Sequence, residues 1–153
     1  MPKVEIIDYS EDTKTFIKTL NYAWLEKYFK VEEGDKQSLS NPKSAIIDKG
    51  GFIFYARLNG EIVGTVSLLK KTESLFELSK MAVSESAKGN GIGTIMIEHC
   101  LTFAKNKNIK KLILYSNSQL IAAIHLYRKF GFNEIALESG VYERANIKME
   151  KIL

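Results

Sequence analysis

Apolar and polar residues alternate from Val4 to Tyr9, which predicts an opening strand. Ser10 and Asp12 are helix-starting residues, and Phe16, Leu20, Trp24 and Phe29 then recur near helical spacing, with Gly34 expected to break that helix. Asn41-Pro42 opens a short second helix holding Ala45, Ile46 and Ile47, and Gly50-Gly51 ends it. Phe52 to Leu58, Ile62 to Leu69 and Leu75 to Val83 read as three antiparallel strands, the first two joined by Asn59-Gly60, a dipeptide favoured in tight hairpin turns. From Thr94 the residues Ile97, Cys100, Leu101 and Ala104 mark a helix, Lys111 to Tyr115 a strand, and Leu120 to Phe130 a helix stopped by Gly131. The remainder, through Val141-Tyr142 and Ile147 to Leu153, is expected to supply one or two last strands.

This order predicts an α/β (α+β) fold: a mixed, largely antiparallel central sheet with helices on both faces. The strand–helix–strand unit of the second half supplies a parallel pair. The 153 residues suit one domain, 1–153, without repeat or linker. Apolar residues at 45% suffice for one core, and a net charge of +4 tolerates anionic ligands without arguing for nucleic acid. One cysteine, Cys100, excludes an intramolecular disulfide. The start MPKVEIIDYSEDTK lacks the features of a signal peptide, and no apolar run is long enough for a membrane span; a cytoplasmic setting is the simplest expectation.

The sharpest local feature is Lys88-Gly89-Asn90-Gly91-Ile92-Gly93-Thr94, after a strand and at the opening of a helix. Glycines let the backbone approach a ligand, and the unpaired N–H groups and dipole of a helix start favour phosphate. A nucleotide P-loop would need Lys-Ser or Lys-Thr after the last glycine, which is absent. A dinucleotide fingerprint would need G-x-G-x-x-G and an acidic residue about 20 positions on, but no acidic residue lies between Glu98 and Glu134. A glycine-rich turn without a ligand stays open at this point.

The run ELSKMAVSESAKGNGIG resembles the strand–loop–helix segment of the GNAT acetyltransferases, whose loop reads (Arg or Gln)-x-x-Gly-x-(Gly or Ala). Lys88, Gly91 and Gly93 take those positions, with Lys in place of Arg or Gln. A second block, SNSQLIAAIHLYRKFGF, is similar to the family's later Asn…Ala…Leu-Tyr-x-Lys-x-Gly-Phe segment through Asn117, Ala123, Leu126, Tyr127, Lys129, Gly131 and Phe132, with Leu120 where many members carry a second Asn.

The resemblance implies a sheet splayed open between its fourth and fifth strands and acetyl-coenzyme A as co-substrate; the histidine spacing gives no reason to expect a metal. It implies that the backbone of Met81, Ala82 and Val83 pairs with the pantetheine amides as an added strand. It further implies that Lys88, Gly89, Asn90, Gly91, Ile92, Gly93 and Thr94 hold the pyrophosphate, and that Asn117, Ala123 and Lys129 belong to the coenzyme site. Tyr127 is implied as the general acid that serves the departing thiolate; packing on the inner helix face is the alternative. Glu77 is the candidate base for the amine, against a glutamate that pairs with a lysine or an ordered water in its place. Alternation puts Glu77 on one face with Ser79, Met81 and Val83.

Tyr142, Arg144, Trp24 and Tyr28 are candidates to read the acceptor. Lys105, Lys107, Lys110 and Lys111 suit a helix C-terminus better than a contact to the coenzyme's 3′-phosphate. His99 and His125 lack ligand-like spacing. The implied reaction is direct attack of a primary amine, on a small molecule or amino acid, upon acetyl-CoA. The alternatives are a protein or peptide acetyltransferase and a non-catalytic acyl-CoA sensor. No nucleic-acid or membrane partner is expected. Homodimers are frequent in the family, but no interface signature is visible.

Overall fold

A computed structural model describes residues 3–153; the first two residues of the N-terminal stretch lie outside it. Seven strands form one sheet in the order β1-β2-β3-β4-β5-β7-β6: β1 Val4–Asp8, β2 Phe52–Leu58, β3 Glu61–Lys70, β4 Leu75–Val83, β5 Lys111–Ser116, β6 Asn133–Ile135 and β7 Ile147–Ile152. All neighbours run antiparallel except β4 and β5. The helices are α1 Lys14–Tyr28, α2 Glu33–Ser40, α3 Ile92–Asn106 and α4 Ile121–Lys129, with a one-turn π-helical segment at Lys43–Ile47.

The predicted mixed α/β architecture is therefore present, with an apolar cluster on each face. Alternation along β2 sends Ile53 and Tyr55 to one side, where they bury with Ile17 and Leu25 of α1, Leu39 of α2 and Ile46. Phe54 and Ala56 face the other side and pack with Met96, Ile97 and Cys100 of α3 and Tyr127 of α4. Each fully buried aliphatic or aromatic side chain contributes roughly 1.5–3 kcal/mol.

Four expectations are corrected. Gly34 does not break α1: that helix ends at Tyr28, and Gly34 sits in the first turn of an additional helix, α2. The segment EGDKQSLS is polar, so no periodicity announces it; burial of Leu39 and Asp35 fixes it to the sheet. The inner face of α1 is Ile17, Leu20, Asn21 and Leu25, whereas Phe16 is exposed. Val141-Tyr142 lie in the β6–β7 connection rather than in a strand, and the short strand falls earlier, at Asn133–Ile135.

Alternation along β4 also fails beyond Ser79. Ser67 pairs with Ser79 but Thr65 pairs with Ala82, so two residues of β4 oppose one of β3 in a bulge, and Lys80 takes φ +54°. Past the bulge Ala82 shares the Glu77 face, and Met81 and Val83 turn to the α3 side. Asn21 fixes the bulge: its buried Nδ2 donates to the Lys80 carbonyl at 3.1 Å, and its Oδ1 accepts from Trp24 Nε1 at 3.1 Å.

Candidate active site

β4 and β5 pair over three positions only, Leu75 with Lys111, Phe76 with Leu112 and Glu77 with Ile113. Beyond Glu77 the two strands continue apart, to Val83 and Ser116. The wedge between them opens into a cavity of about 480 Å³ lined by β4, the loop before α3, the end of β5, α4, α1 and the β6–β7 connection.

One end of this cavity is the start of α3. Gly91 precedes the helix at φ +71°, a left-handed conformation that glycine adopts without a Cβ penalty, and no side chain caps the first turn. The leading amides of Ile92, Gly93 and Thr94 are thus left for an acceptor from outside the helix. Gly93 also permits close helix packing, since a Cβ there would stand 3.2 Å from Leu126 Cδ2 on α4. Lys88 is exposed and paired with Glu85 at 3.0 Å, and Lys27 holds the same Glu85 oxygen at 3.2 Å. Such exposed pairs contribute little and exchange readily for a stronger anion. A glycine-rich turn capped by its own side chains is not what is found, although Asn90 does fold back, donating from Nδ2 to the Ala87 carbonyl at 2.8 Å.

Tyr127 lines the middle of the cavity and is 7% exposed. Burial alone pushes its phenol well above the ordinary tyrosine value, so it stays protonated and has a proton to donate at neutral pH. Asn117 also lines the cavity, but its side chain already donates from Nδ2 to the Arg144 carbonyl at 2.7 Å and accepts from Gln119 N at 2.8 Å. It therefore ties the end of β5 to the β6–β7 connection. Met81, Ala82, Val83 and Ala123 line the cavity as expected, whereas Asn90 does not, and Lys129 lies exposed in the last turn of α4, off the lining. Lys105 lies in the last turn of α3 and Lys107, Lys110 and Lys111 just beyond it, the far end of a 15-residue helix about 22 Å long, which is the helix C-terminal placement that suited them in the sequence.

The other end of the cavity is built from residues far apart in sequence. Glu77, 1% exposed, closes the wedge at the last β4–β5 pair. Tyr142 Oη donates to Glu77 Oε2 at 2.9 Å. Lys71 Nζ stands 3.2 Å from Oε1 as an ion pair, but its geometry makes no hydrogen bond, so Oε1 has no hydrogen-bond partner. The Tyr142 phenol is raised by burial and next by the Glu77 charge.

Beside this pair, Arg144 grips the buried Asp35 with Nη1 at 2.7 Å and Nη2 at 3.1 Å, and reaches Glu32 Oε2 from Nη1 at 3.0 Å. Lys80, with its side chain buried, adds a contact to Asp35 at 3.2 Å. Burial by itself would raise the Asp35 carboxyl, but the Arg144 hydrogen bonds and the Lys80 and Arg144 charges outweigh it and hold it below the ordinary range. The Arg144 guanidinium lies over the Tyr142 ring at 5.0 Å and the Trp24 ring at 5.8 Å. Trp24, Tyr28, Tyr142 and Arg144 thus converge on one wall, as the sequence suggested. Asp35, Lys80 and Glu32 were missed; only their polarity distinguished them.

Neither histidine joins the site. His125 is exposed, and His99 packs edge-on against Phe54 at 4.5 Å, its pKa lowered by burial. Cys100 is buried in the core and its thiol is pushed up to about 12. Among the described residues no group of three or more His, Cys, Asp or Glu could hold a metal, and no helix is long and apolar enough to cross a membrane.

An uncapped helix start facing a splayed parallel strand pair, with a buried tyrosine and glutamate on the same cavity, is the arrangement of an acyl-CoA N-acyltransferase fold. The profile of the Acetyltransferase (GNAT) family matches residues 16–132, and the chain belongs to that family. The uncharacterised N-acetyltransferase MJ1207 of Methanocaldococcus jannaschii is 30% identical over 133 residues, covering 76% of this chain and 58% of its own. N-acetyltransferase 8B of Rattus norvegicus is 29% identical over 97 residues, covering 60% of this chain and 44% of its own; the chain thus spans about half the length of these curated relatives. Among solved structures, a GNAT-family acetyltransferase from Staphylococcus aureus Mu50 superposes with a TM-score of 0.88 at 23% identity, over 98% of this chain and 99% of the other. One from Elizabethkingia anophelis, solved with acetyl-CoA bound, superposes with a TM-score of 0.74 at 21% identity, over 98% of both chains.

Proposed function

We propose that this protein transfers the acetyl group of acetyl-CoA to a primary amine of a small molecule or amino acid by direct attack. The observation that carries this reading is the uncapped start of α3 opening into the wedge between β4 and β5. The amides of Ile92 to Thr94, with Lys88 released from Glu85, would hold the diphosphate. The gap-side backbone of Met81 to Val83 would pair with the pantetheine arm. The superposed neighbour with acetyl-CoA bound supports the same assignment. Tyr127 would serve the departing sulfur by hydrogen bonding to it as the C–S bond breaks, and Glu77 would serve the amine.

The test is a thiol-release screen of small amines, amino acids and short peptides with acetyl-CoA, alongside calorimetry with coenzyme A. Release with a small amine, above the acceptor-free rate, is the expected result. Release with peptides alone would move the activity to protein acetylation. Coenzyme A binding without release from any amine would make the protein an acyl-CoA sensor, and no binding at all would refute the site.

A further inference from the structure

The acceptor end of the cavity presents its base indirectly. Glu77 is 1% exposed, with one carboxylate oxygen taken by the Tyr142 hydroxyl and the other beside the Lys71 ammonium. Lys71 comes from the β3–β4 turn and its side chain is 41% exposed, so its ammonium links the buried Oε1 to the surface. Tyr142 comes from the β6–β7 connection and lines the same cavity as Tyr127. We infer that Tyr142 takes the proton of the acceptor ammonium at its Oη while its own proton passes to Glu77 Oε2, so that the tyrosine–glutamate pair acts as the base. This rests on the N-acetyltransferase reading above.

The groups around Tyr142 suit the role. Lys80 Nζ lies 5.7 Å and the Arg144 guanidinium 5.0 Å from the centre of its ring, and Tyr115 meets it edge-on at 5.5 Å. Both cations are tied to Asp35 of α2, and Arg144 also to Glu32, so the ring is held between fixed charges that sum to zero. The hydroxyl is the one polar group of this aromatic frame that bonds a buried carboxylate. An ammonium donating to Oη would extend an existing hydrogen bond rather than break one.

The protons balance. An alkylammonium and a thioester give an amide, a thiol and one proton. The relay carries that proton from nitrogen to Glu77, and from there to water on the Lys71 side. The freed lone pair then attacks the acetyl carbon, the C–N bond forms and the C–S bond breaks. The second N–H proton, acidified as the nitrogen bonds to carbon, balances the one that the departing sulfur takes up at Tyr127.

The experiment compares wild type, Tyr142→Phe, Glu77→Gln and the double variant, using a primary alkylamine found active in the screen, from pH 7 to about pH 10. An alkylammonium titrates near 10, so at neutral pH almost none of it is free amine and the base is needed. Removing a general base costs typically 100-fold or more, so Tyr142→Phe should lose about 100-fold in kcat/KM for the amine at pH 7. That deficit should shrink to about threefold or less near pH 10, where about half of the amine is already neutral. Glu77→Gln should behave alike, the double variant should be no worse than the poorer single one, and coenzyme A affinity by calorimetry should not change. A deficit constant with pH, an active Tyr142→Phe at pH 7, or additive losses would overturn the relay while leaving the acetyltransferase reading intact. Absence of turnover by wild type with every amine would overturn both.

Discussion

Arg144→Ala tests the clasp that holds the Tyr142 wall of the cavity to Asp35. Asp35 is 1% exposed and holds four groups: both Arg144 nitrogens, Lys80 and the Glu32 amide. Removing one partner of a buried ion pair typically costs 3–5 kcal/mol, but Lys80 stays beside Asp35, so the expected loss is about 2–4 kcal/mol. For a chain of this size each kcal/mol lowers Tm by about 2–4 °C, which places the variant roughly 5–15 °C below wild type. The loss also depends on pH. In the wild type the Asp35 carboxyl is depressed below its unfolded value, so its stabilisation is present above about pH 4 and is lost as pH falls through the lower folded value. In the variant the burial that Arg144 outweighed dominates and raises the carboxyl, so protonation stabilises the variant as the pH drops. The gap between the two, from urea unfolding followed by circular dichroism, should therefore be widest near pH 7 and narrow towards about pH 4. Arg144→Lys restores charge without the two-pronged grip and should fall between them. A gap under about 1 kcal/mol at pH 7, or one that does not narrow in acid, would refute the view that Asp35 depends on Arg144.

Three further outcomes can be measured. Tyr127→Phe should lower kcat with the active amine by about 10-fold or more and leave the KM for acetyl-CoA within about threefold; equal activity would remove Tyr127 from the chemistry. A Cβ at Gly91 would meet no atom within 4 Å, but Gly91→Val forces a branched residue to φ +71°, so it should cost about 1–2 kcal/mol of stability and weaken coenzyme A binding by about 10-fold in calorimetry. Cys100, fully buried with its thiol pushed up to about 12, should resist Ellman's reagent at pH 8 in the native protein and react at once when denatured; rapid native labelling would contradict its place in the core.

The loop and helix start at the α3 end of the cavity were legible because local chemistry specifies them. Glycines, a strand before them and a helix after them lie within a dozen residues, and Tyr127 shares a helical segment with the rest of its motif. The Glu77 end of the cavity was not, because its wall is assembled from Glu32, Asp35, Lys80, Tyr142 and Arg144, which meet only through tertiary folding. Likewise α2 escaped notice because one leucine in a polar octapeptide carries no period, and its helical state depends on where Leu39 and Asp35 end up. The face assigned to β4 held only as far as the bulge at Lys80, since strict alternation has no means of registering one extra residue. The β2 to β4 meander followed the sequence closely, because each strand pairs with its sequence neighbour through a short turn.

The three-residue seam between β4 and β5 gives this sheet a pair of interior margins. Margins of this kind usually invite other chains to add on, and proteins blunt them with charge or proline. Here concealment does that work, for the unpaired stretch of β4 lies at the bottom of a narrow wedge that another folded chain could not enter. The amides of Met81 to Val83 on that side should exchange with deuterium faster than those of β2 and slow once coenzyme A fills the wedge. The bound thioester would then act as a temporary eighth strand, and its release would loosen the two halves of the sheet.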